Sequence, residues 1–480
     1  MLKASFLNKI QLSIDKDFQE LIDSLYTLIQ NAYLADNRPW VIGYSGGKDS
    51  TVTLQAVWHA LSRLEPEKLT KKVYVITSDT YVETPVIVNY IDTNLEKINT
   101  AAQKHSLPFE AHKVTPEIDN TFWVNMIGRG YPAPWTNFRW CTDRLKIAPA
   151  NRFITDCVTK HGEVVVVLGV RKEESSSRAG HMNKRKSIGE FFTRHHDLTN
   201  AWVFSPIEDW YTDEVWRYLL AIPNPWGGNN QELAAMYKDA QDGECPLIID
   251  RSAPSCGNSR FGCWVCTVVQ KDLSMEATIK SGKPWLQPLL DYRNKLAATQ
   301  EPAEKEKFRN HRRRTGVVSY KKNNEDGSCG GIIFGPYKPE FRKELLRSLL
   351  QTQKLVQTNG PNPNEKLISD QELLKIRHIW RFEEGDWEDT VPQIYQEVTG
   401  QEFSVPHDNW YGKTEFQTLS DSCKELDIPT ALLTELLDAE KKQHGMKKRS
   451  QIFNSIDSIL KKDWRSLEQV YTDIENSEAN

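Results

Sequence analysis

No stretch of the 480 residues approaches the roughly 20 consecutive apolar residues that a membrane-spanning helix needs; the longest apolar runs are strand-sized and interrupted. The opening residues, Met1 to Lys16, lack a signal-peptide pattern. These two absences predict a cytoplasmic protein with no membrane partner. A surplus of positive charge is also missing, since 61 Lys and Arg against 65 Asp and Glu leave a formal net charge of −4. A wholly basic coat is thereby excluded, and any nucleic-acid contact has to come from local patches such as Lys184-Arg185-Lys186 or Arg312-Arg313-Arg314. Cysteine is sparse, at eight residues, too few for a disulfide framework in a cytosolic chain of this size. The string G-x-x-x-x-G-K-[ST] is absent, which counts against kinase-like or GTPase-like phosphate loops.

What is there begins with an amphipathic helix, carrying Phe18, Leu21, Ile22, Leu25, Ile29 and Tyr33 at helical spacing. From Pro39 the pattern turns to a buried strand, Trp40 to Tyr44, then a glycine-containing loop, then a helix marked by Val52, Leu54, Val57, Trp58, Leu61 and Leu64. Strands over Val73 to Thr77, Phe109 to Val114, Val164 to Leu168 and around Trp202 to Phe204 alternate with helices over about Pro85 to His105 and Lys146 to Lys160. This alternation predicts an α/β fold, a parallel sheet with helices on both faces, whose ligands bind at the carboxyl ends of the strands. Residues 1–36 read as an N-terminal helix and 37–225 as the nucleotide domain. A cysteine-rich subdomain over 226–290 and a mainly helical accessory region over 291–480 complete the division.

The loop Ser45-Gly46-Gly47-Lys48-Asp49-Ser50 joins a strand to a helix start, where free N–H groups and the helix dipole favour an anion. Gly46 and Gly47 can take the positive φ angles of a phosphate nest, Ser45 and Ser50 offer hydroxyls, and Lys48 offers a charge; Asp49 can cap the helix or orient the loop. In this setting Ser-Gly-Gly-Lys-Asp-Ser resembles the PP-loop of the ATP pyrophosphatases, the adenine nucleotide α-hydrolase-like group that includes phosphoadenylylsulfate reductases and tRNA thiolation enzymes. The resemblance implies binding of ATP, with Mg2+ bridging its phosphates, and cleavage between the α- and β-phosphates.

Three further segments extend the resemblance. Asp79-Thr80-Tyr81-Val82-Glu83-Thr84-Pro85, with Asp79 and Thr80 facing the nucleotide, resembles the family's second nucleotide loop. Arg139-Trp140-Cys141-Thr142-Asp143-Arg144-Leu145-Lys146 resembles its Cys-Thr-x-x-Leu-Lys string. Cationic neighbours at a helix start are expected to lower the Cys141 pKa and make it a nucleophile or persulfide carrier, with a small buried cysteine as the alternative, while Lys146 suits phosphate contact. Gly169-Val170-Arg171-Lys172-Glu173-Glu174-Ser175-Ser176-Ser177-Arg178 resembles the family's Gly-x-Arg-x-x-Glu-Ser-x-x-Arg element. Arg171 and Arg178 are expected to stabilise charge on displaced pyrophosphate, the alternative being surface pairing with Glu173 or Glu174. Thr212 is expected to cap the helix that follows Asp209 to Tyr211.

Four of the eight cysteines, Cys245, Cys256, Cys263 and Cys266, crowd into 22 residues, a clustering that suggests metal. Spacing alone leaves zinc and iron–sulfur open; the sulfur chemistry implied by the PP-loop favours [4Fe–4S], with zinc as the alternative. Four cysteine ligands would leave no iron open to carry an extra sulfur, giving such a cluster a structural, electron-transfer or sensing role. Cys157, Cys329 and Cys423 stand alone, Cys329 in a glycine-rich setting that could make it a mobile sulfur shuttle.

A PP-loop domain followed by a four-cysteine segment and a long helical tail resembles the DndC family of bacterial DNA phosphorothioation, a defence-associated DNA sulfur modification. That resemblance implies a sulfurtransferase reaction in which ATP adenylylates a DNA phosphate oxygen that sulfur then replaces. The implied partners are DNA, a cysteine desulfurase and other Dnd proteins. The basic loop His181 to His196, with Lys184, Arg185, Lys186 and Arg194, is a candidate DNA contact. Three alternatives stand beside this reading: tRNA thiolation, sulfonucleotide reduction, and a scaffold that senses ATP or redox state without turnover. Reduction is disfavoured because the last cysteine, Cys423, lies in Asp-Ser-Cys-Lys-Glu where the reductases carry Glu-Cys-Gly.

Overall fold

The structure is a computed structural model and describes residues 15–174, 187–188, 191–240, 262–321, 331–444, 446, 449 and 451–478. Compact packing divides the chain into a first unit, residues 1–117 and 136–290, and a second, residues 118–135 and 291–480. The described part of segment 226–290 groups with the first unit.

The first unit is built on a seven-stranded sheet in the order β3-β2-β1-β4-β7-β6-β5. Its strands are β1 (Trp40–Gly43), β2 (Val73–Ser78), β3 (Phe109–Val114), β4 (Val164–Val167), β5 (Ser187–Ile188), β6 (Phe192–Arg194) and β7 (Ala201–Phe204). The pairs β1–β2, β1–β4, β2–β3 and β4–β7 are parallel, as the α/β alternation predicts. The short pairs β5–β6 and β6–β7 are antiparallel, so the sheet is mixed at this edge. The antiparallel edge follows from chain length, because so short a return between β6 and β7 leaves no room for the crossover that a parallel pair needs.

Alternate residues of the central strands feed two cores. Trp40, Ile42, Val73, Val75, Val165 and Val167 face one side, and Val41, Tyr74, Ile76, Val164 and Val166 face the other. The first core is closed by α1 (Lys16–Leu34), α2 (Lys48–Leu61), α3 (Pro85–Lys104) and, after β7, the helix Thr212–Ala221. Helix α1 starts where Asp15 accepts the Phe18 N–H at 2.9 Å and buries Phe18, Ile22, Leu25, Ile29 and Tyr33 along one stripe. The second core is closed by α4 (Ala148–His161), through Ala150, Ile154 and Cys157. A helical lead-in, Trp140–Thr142 and a wider π turn Asp143–Ile147, begins this helix earlier than the expected Lys146. The unit continues with α5 (Thr212–Ala221), α6 (Asn230–Ala240) and α7 (Leu273–Lys280).

The second unit is mainly helical. After α8 (Gln287–Ala298), which starts in the first unit, come α9 (Pro339–Asn359), α10 (Asp370–Glu383), α11 (Thr390–Thr399), α12 (Lys413–Glu425), α13 (Thr430–Gln443), α14 (Ile452–Leu460) and α15 (Leu467–Glu478). Its core includes the segment 118–135, where the Trp123 indole donates to Leu367 O (2.7 Å) and the Trp380 indole to Ile127 O (3.1 Å). Ser369 and Glu372 close the start of α10 as a capping box. Among the described residues no helix is long and apolar enough to cross a membrane.

Candidate functional site

In the parallel part of the sheet the chain steps outward from β1 to β2 and β3, then returns to place β4 on the other side of β1. The carboxyl ends of β1 and β4 therefore flank the switch point at which open α/β sheets bind ligands. The Ser45–Ser50 loop leaves β1 there, and Gly169 to Arg171 leaves β4 beside it.

Gly46 has φ +73°, and a side chain on it would press the Tyr90 ring, at 3.3 Å from an added Cβ. Gly47 occupies the N-cap of α2, so its carbonyl receives the Ser50 and Thr51 hydroxyls at 3.0 and 2.8 Å. The Ser45 and Ser50 hydroxyls lie 3.1 Å apart. This turn leaves the first main-chain N–H groups of α2 at the helix N-terminus, the kind of position that can cradle phosphate. One of those groups is engaged: the Lys48 N–H donates to the Tyr237 hydroxyl at 3.1 Å.

The charged side chains of the loop are buried, Lys48 at 3% and Asp49 at 8% exposure. Lys48 Nζ meets Asp49 Oδ2 at 2.9 Å, and Arg171 Nε donates to Asp49 Oδ1 at 2.5 Å. Of the two roles expected for Asp49, the structure gives it the orienting one, since Gly47 is the cap. Arg171 is 1% exposed and is no surface arginine: it also donates to Glu173 Oε2 (2.7 Å) and to the Thr212 hydroxyl (3.2 Å). Thr212 is not the cap of α5, which is Tyr211. Its N–H and hydroxyl both donate to Glu173, the hydroxyl having been drawn to the ion-pair chain. Burial raises the Glu173 carboxyl, but the Thr212 and Arg171 hydrogen bonds outweigh it and hold the group below its ordinary value. Gly169 is fixed by close approach, since a Cβ there would stand 2.6 Å from Asp49 O and 2.7 Å from Thr53 Oγ1.

At the end of β2, Asp79 accepts the Tyr81 N–H (2.9 Å) and faces Lys113 Nζ (3.3 Å). The Thr80 hydroxyl and N–H donate to Glu83 at 2.6 and 3.0 Å. Burial, helped by Asp79, lifts the Glu83 carboxyl above its ordinary range. The described part of the cysteine segment docks on this loop: Glu83 pairs with Cys263 as an antiparallel bridge, Trp264 N–H donates to Val82 O (2.9 Å), and Cys263 Sγ lies 3.4 Å from Thr80 Oγ1.

Cys141 does not have the lowered pKa expected from its cationic neighbours. Burial pushes its thiol up to about 12, Cys266 adds to the rise, and Lys146 opposes it only in part. Lys146 acts in the same sense on Glu83 and Cys263, so Cys141, Cys263, Glu83 and Lys146 share one electrostatic neighbourhood. The sequence had assigned Cys141, Cys263 and Lys146 to separate tasks and Glu83 to none.

Of the four expected metal ligands, Cys263 and Cys266 are described, half-buried, with Cys266 N–H donating to Cys263 O at 3.1 Å. Cys245 and Cys256 lie outside the described residues, as do Arg178, Cys329 and the Lys184-Arg185-Lys186 patch. Among the described residues no three histidine, cysteine or carboxylate side chains form a metal-holding group. The donor chemistry of the described pair nonetheless suits a soft metal centre: burial raises the Cys263 thiol strongly, and a multivalent cation is what makes such a thiol give up its proton. Cys157 and Cys423 are buried, as expected for ordinary thiols.

With this geometry in view, residues 39–268 match the phosphoadenosine phosphosulfate reductase domain. An uncharacterized protein of Methanocaldococcus jannaschii is 28% identical over 201 residues, 41% of this chain and 35% of the relative, so the match spans about a third of that protein's length. Among solved structures, phosphoadenylyl-sulfate reductase from Candida auris aligns at 15% identity with TM-score 0.29, covering 51% of this chain and 98% of that one. The U34-tRNA thiolase NcsA from Methanococcus maripaludis, solved with its [4Fe-4S] cluster, aligns at 12% identity with TM-score 0.27, covering 60% and 80%. Over residues 39–268, inside the first unit, the chain is thus similar to a reductase-type PP-loop domain.

Proposed function

We propose that the chain is an ATP pyrophosphatase that activates a DNA backbone phosphate for replacement of one oxygen by sulfur. The observation that carries the ATP half is the pairing of the Ser45–Ser50 cradle with the buried Lys48–Asp49–Arg171 chain at the sheet's switch point. Asp49 fixes both cations by their carboxylate contacts, so a small shift of either toward a phosphate needs little reorganisation. Gly169 brings the β4 end against α2, keeping Arg171 at the cradle. Mg2+ bound together with the ATP would supply further neutralisation of the phosphate charge.

The chemistry balances as two displacements. A nonbridging oxygen of the phosphodiester attacks the α-phosphorus of ATP, and pyrophosphate leaves with the electrons of the α–β bridge. Lys48 and Arg171 neutralise that leaving charge. A sulfur nucleophile at the sulfide level, drawn from a cysteine desulfurase with a thiol as reductant, then attacks the DNA phosphorus, and AMP leaves with the oxygen first activated. The products are a phosphorothioate linkage, AMP and pyrophosphate.

The cysteines Cys245, Cys256, Cys263 and Cys266 would hold a [4Fe–4S] cluster, or zinc in its place. A cluster with four cysteine ligands would supply structure, electron transfer or redox sensing. The other Dnd proteins are proposed partners in a cytoplasmic complex. The reductase alternative loses ground because Cys423 is only 1% exposed on α12, and a reductase nucleophile has to reach its substrate.

The test is pyrophosphate release together with mass spectrometry of nuclease-digested DNA after reaction with ATP, a desulfurase and the native partners. Phosphorothioate dinucleotides are expected. Sulfur found in RNA bases instead would move the acceptor to RNA. Equal pyrophosphate release by wild type and Lys48→Ala would remove the loop from the chemistry.

A further inference from the structure

The arginine triplet at 312–314 is not used by the ATP site. It lies in the second unit, on a ladder of chain pairings: Arg309 with Tyr337, Arg312 with Val318 and Tyr320 with Ile332. The tip is a tight turn in which Gly316 N–H donates to Arg313 O (2.9 Å) and Arg313 N–H to Val317 O (2.8 Å). Gly316 takes φ +86° and lies so close to Lys462 that no side chain would fit. Asp463 N–H holds the turn from behind by donating to Gly316 O at 2.9 Å.

Two arginines build this platform and two are displayed by it. Arg309 donates to Gly335 O (2.7 Å) and Phe334 O (2.5 Å), and Arg312 donates to Asp463 O (3.1 Å) while lying over Trp464. Arg313 and Arg314 are exposed, with only a long contact to Phe334 O (3.3 Å) and a ring contact to Tyr131 respectively. Lys321 is exposed too, beside Tyr320 at 42% exposure.

Among the described residues none of Arg309, Arg312, Arg313, Arg314, Lys321 and Lys338 has a carboxylate within ion-pair distance. The nearby acids are engaged elsewhere: Asp463 and Asp473 with Arg465, Glu435 with Lys462, Glu304 with Lys307, and Glu306 with the Tyr471 hydroxyl. The cations also crowd one another: Lys305 is held below its ordinary value by burial and then by Arg309 and Lys321. A cation cluster with no described carboxylate within ion-pair distance, beside an exposed tyrosine, matches a polyanion that also offers flat bases.

We propose that the turn Arg313 to Val317, with Lys321 and Tyr320, is a docking surface for the phosphodiester backbone of duplex DNA. The inference rests on the nucleic-acid acceptor proposed above and uses nothing from the ATP site. The test is fluorescence anisotropy of the full chain, without ATP, against labelled duplex DNA and against single-stranded RNA over a range of potassium chloride. The Arg313→Ala/Arg314→Ala double variant should bind roughly tenfold more weakly near 0.1 M salt, with the salt slope reduced by about 2. The Arg313→Lys/Arg314→Lys variant should keep most of both, and the thermal midpoint should not move. A loss confined to the RNA arm would overturn duplex DNA as the occupant. Unchanged affinity and slope in the alanine variant, with wild type binding normally, would overturn the docking surface and leave the acceptor reading standing. Equal loss of binding to polyglutamate would overturn the assignment to nucleic acid. No binding by wild type would also overturn the surface, and the phosphorothioate assay then decides the acceptor reading by itself.

Discussion

The Tyr237 hydroxyl accepts the Lys48 N–H at 3.1 Å, on the helix start where a phosphate oxygen would need that donor. Tyr237 lies on α6, so the contact ties the stretch that leads into the cysteine segment to the Ser45–Ser50 loop. A bound phosphate has to displace the hydroxyl. Tyr237→Phe should therefore tighten ATP binding about two- to tenfold, the worth of one released hydrogen bond. Calorimetric titration checks this; weaker binding would show that the hydroxyl holds the phosphate instead.

Asp49 is the shared anion of two buried cations, so its removal takes one anion from each, Arg171 keeping its pairing with Glu173. Asp49→Ala is expected to cost about 3 kcal/mol of stability in urea unfolding and to suppress pyrophosphate release. Full stability in the variant would mean that the pair contributes nothing to the fold.

Gly169→Ala puts a methyl group against the Asp49 carbonyl, a main-chain atom that cannot swing aside. The expected loss is about 1–3 kcal/mol, with a lower pyrophosphate-release rate as the first turn of α2 shifts. Wild-type values in both measurements would refute the close approach.

Asp438 gives the second unit a pH dependence. Burial raises its carboxyl to about 6, although the Trp387 and Trp410 indoles donate to Oδ1 at 2.8 and 3.1 Å. The folded state thus holds a proton that the unfolded state, with an ordinary aspartate, has already lost. Stability should fall by about 1–2 kcal/mol as pH rises from 4 to 6 and stay level above. Asp438→Asn keeps an oxygen for both indoles and should flatten this part of the stability profile; an unchanged slope would assign it to another group.

For the metal, anaerobically purified protein should contain iron and sulfide, and Cys263→Ser or Cys266→Ser should lower both. Zinc without iron or sulfide would select the alternative.

The β1 loop was legible because everything that defines it is local: a strand, two glycines and a helix start within a dozen residues. Its supports were not. Arg171 reaches Asp49 across 122 positions, and Tyr237 reaches Lys48 across 189. No local spacing encodes such partners. Cys141 was misread for a related reason, because cations can be counted along the sequence whereas desolvation depends on packing, and here desolvation is the larger effect. Thr212 has the composition of a cap, but a buried arginine and its glutamate claimed the hydroxyl.

The membership of segment 118–135 in the second unit has a consequence for synthesis. The Trp123 indole finds its acceptor, Leu367, 244 positions later. At roughly 5–20 residues per second on the ribosome, the segment waits about 10–50 s before its core exists. Until then Phe122, Trp123, Met126 and Ile127, buried in the finished protein, lack part of the packing that covers them. Shortening the chain to end ahead of Leu367 would make that delay permanent.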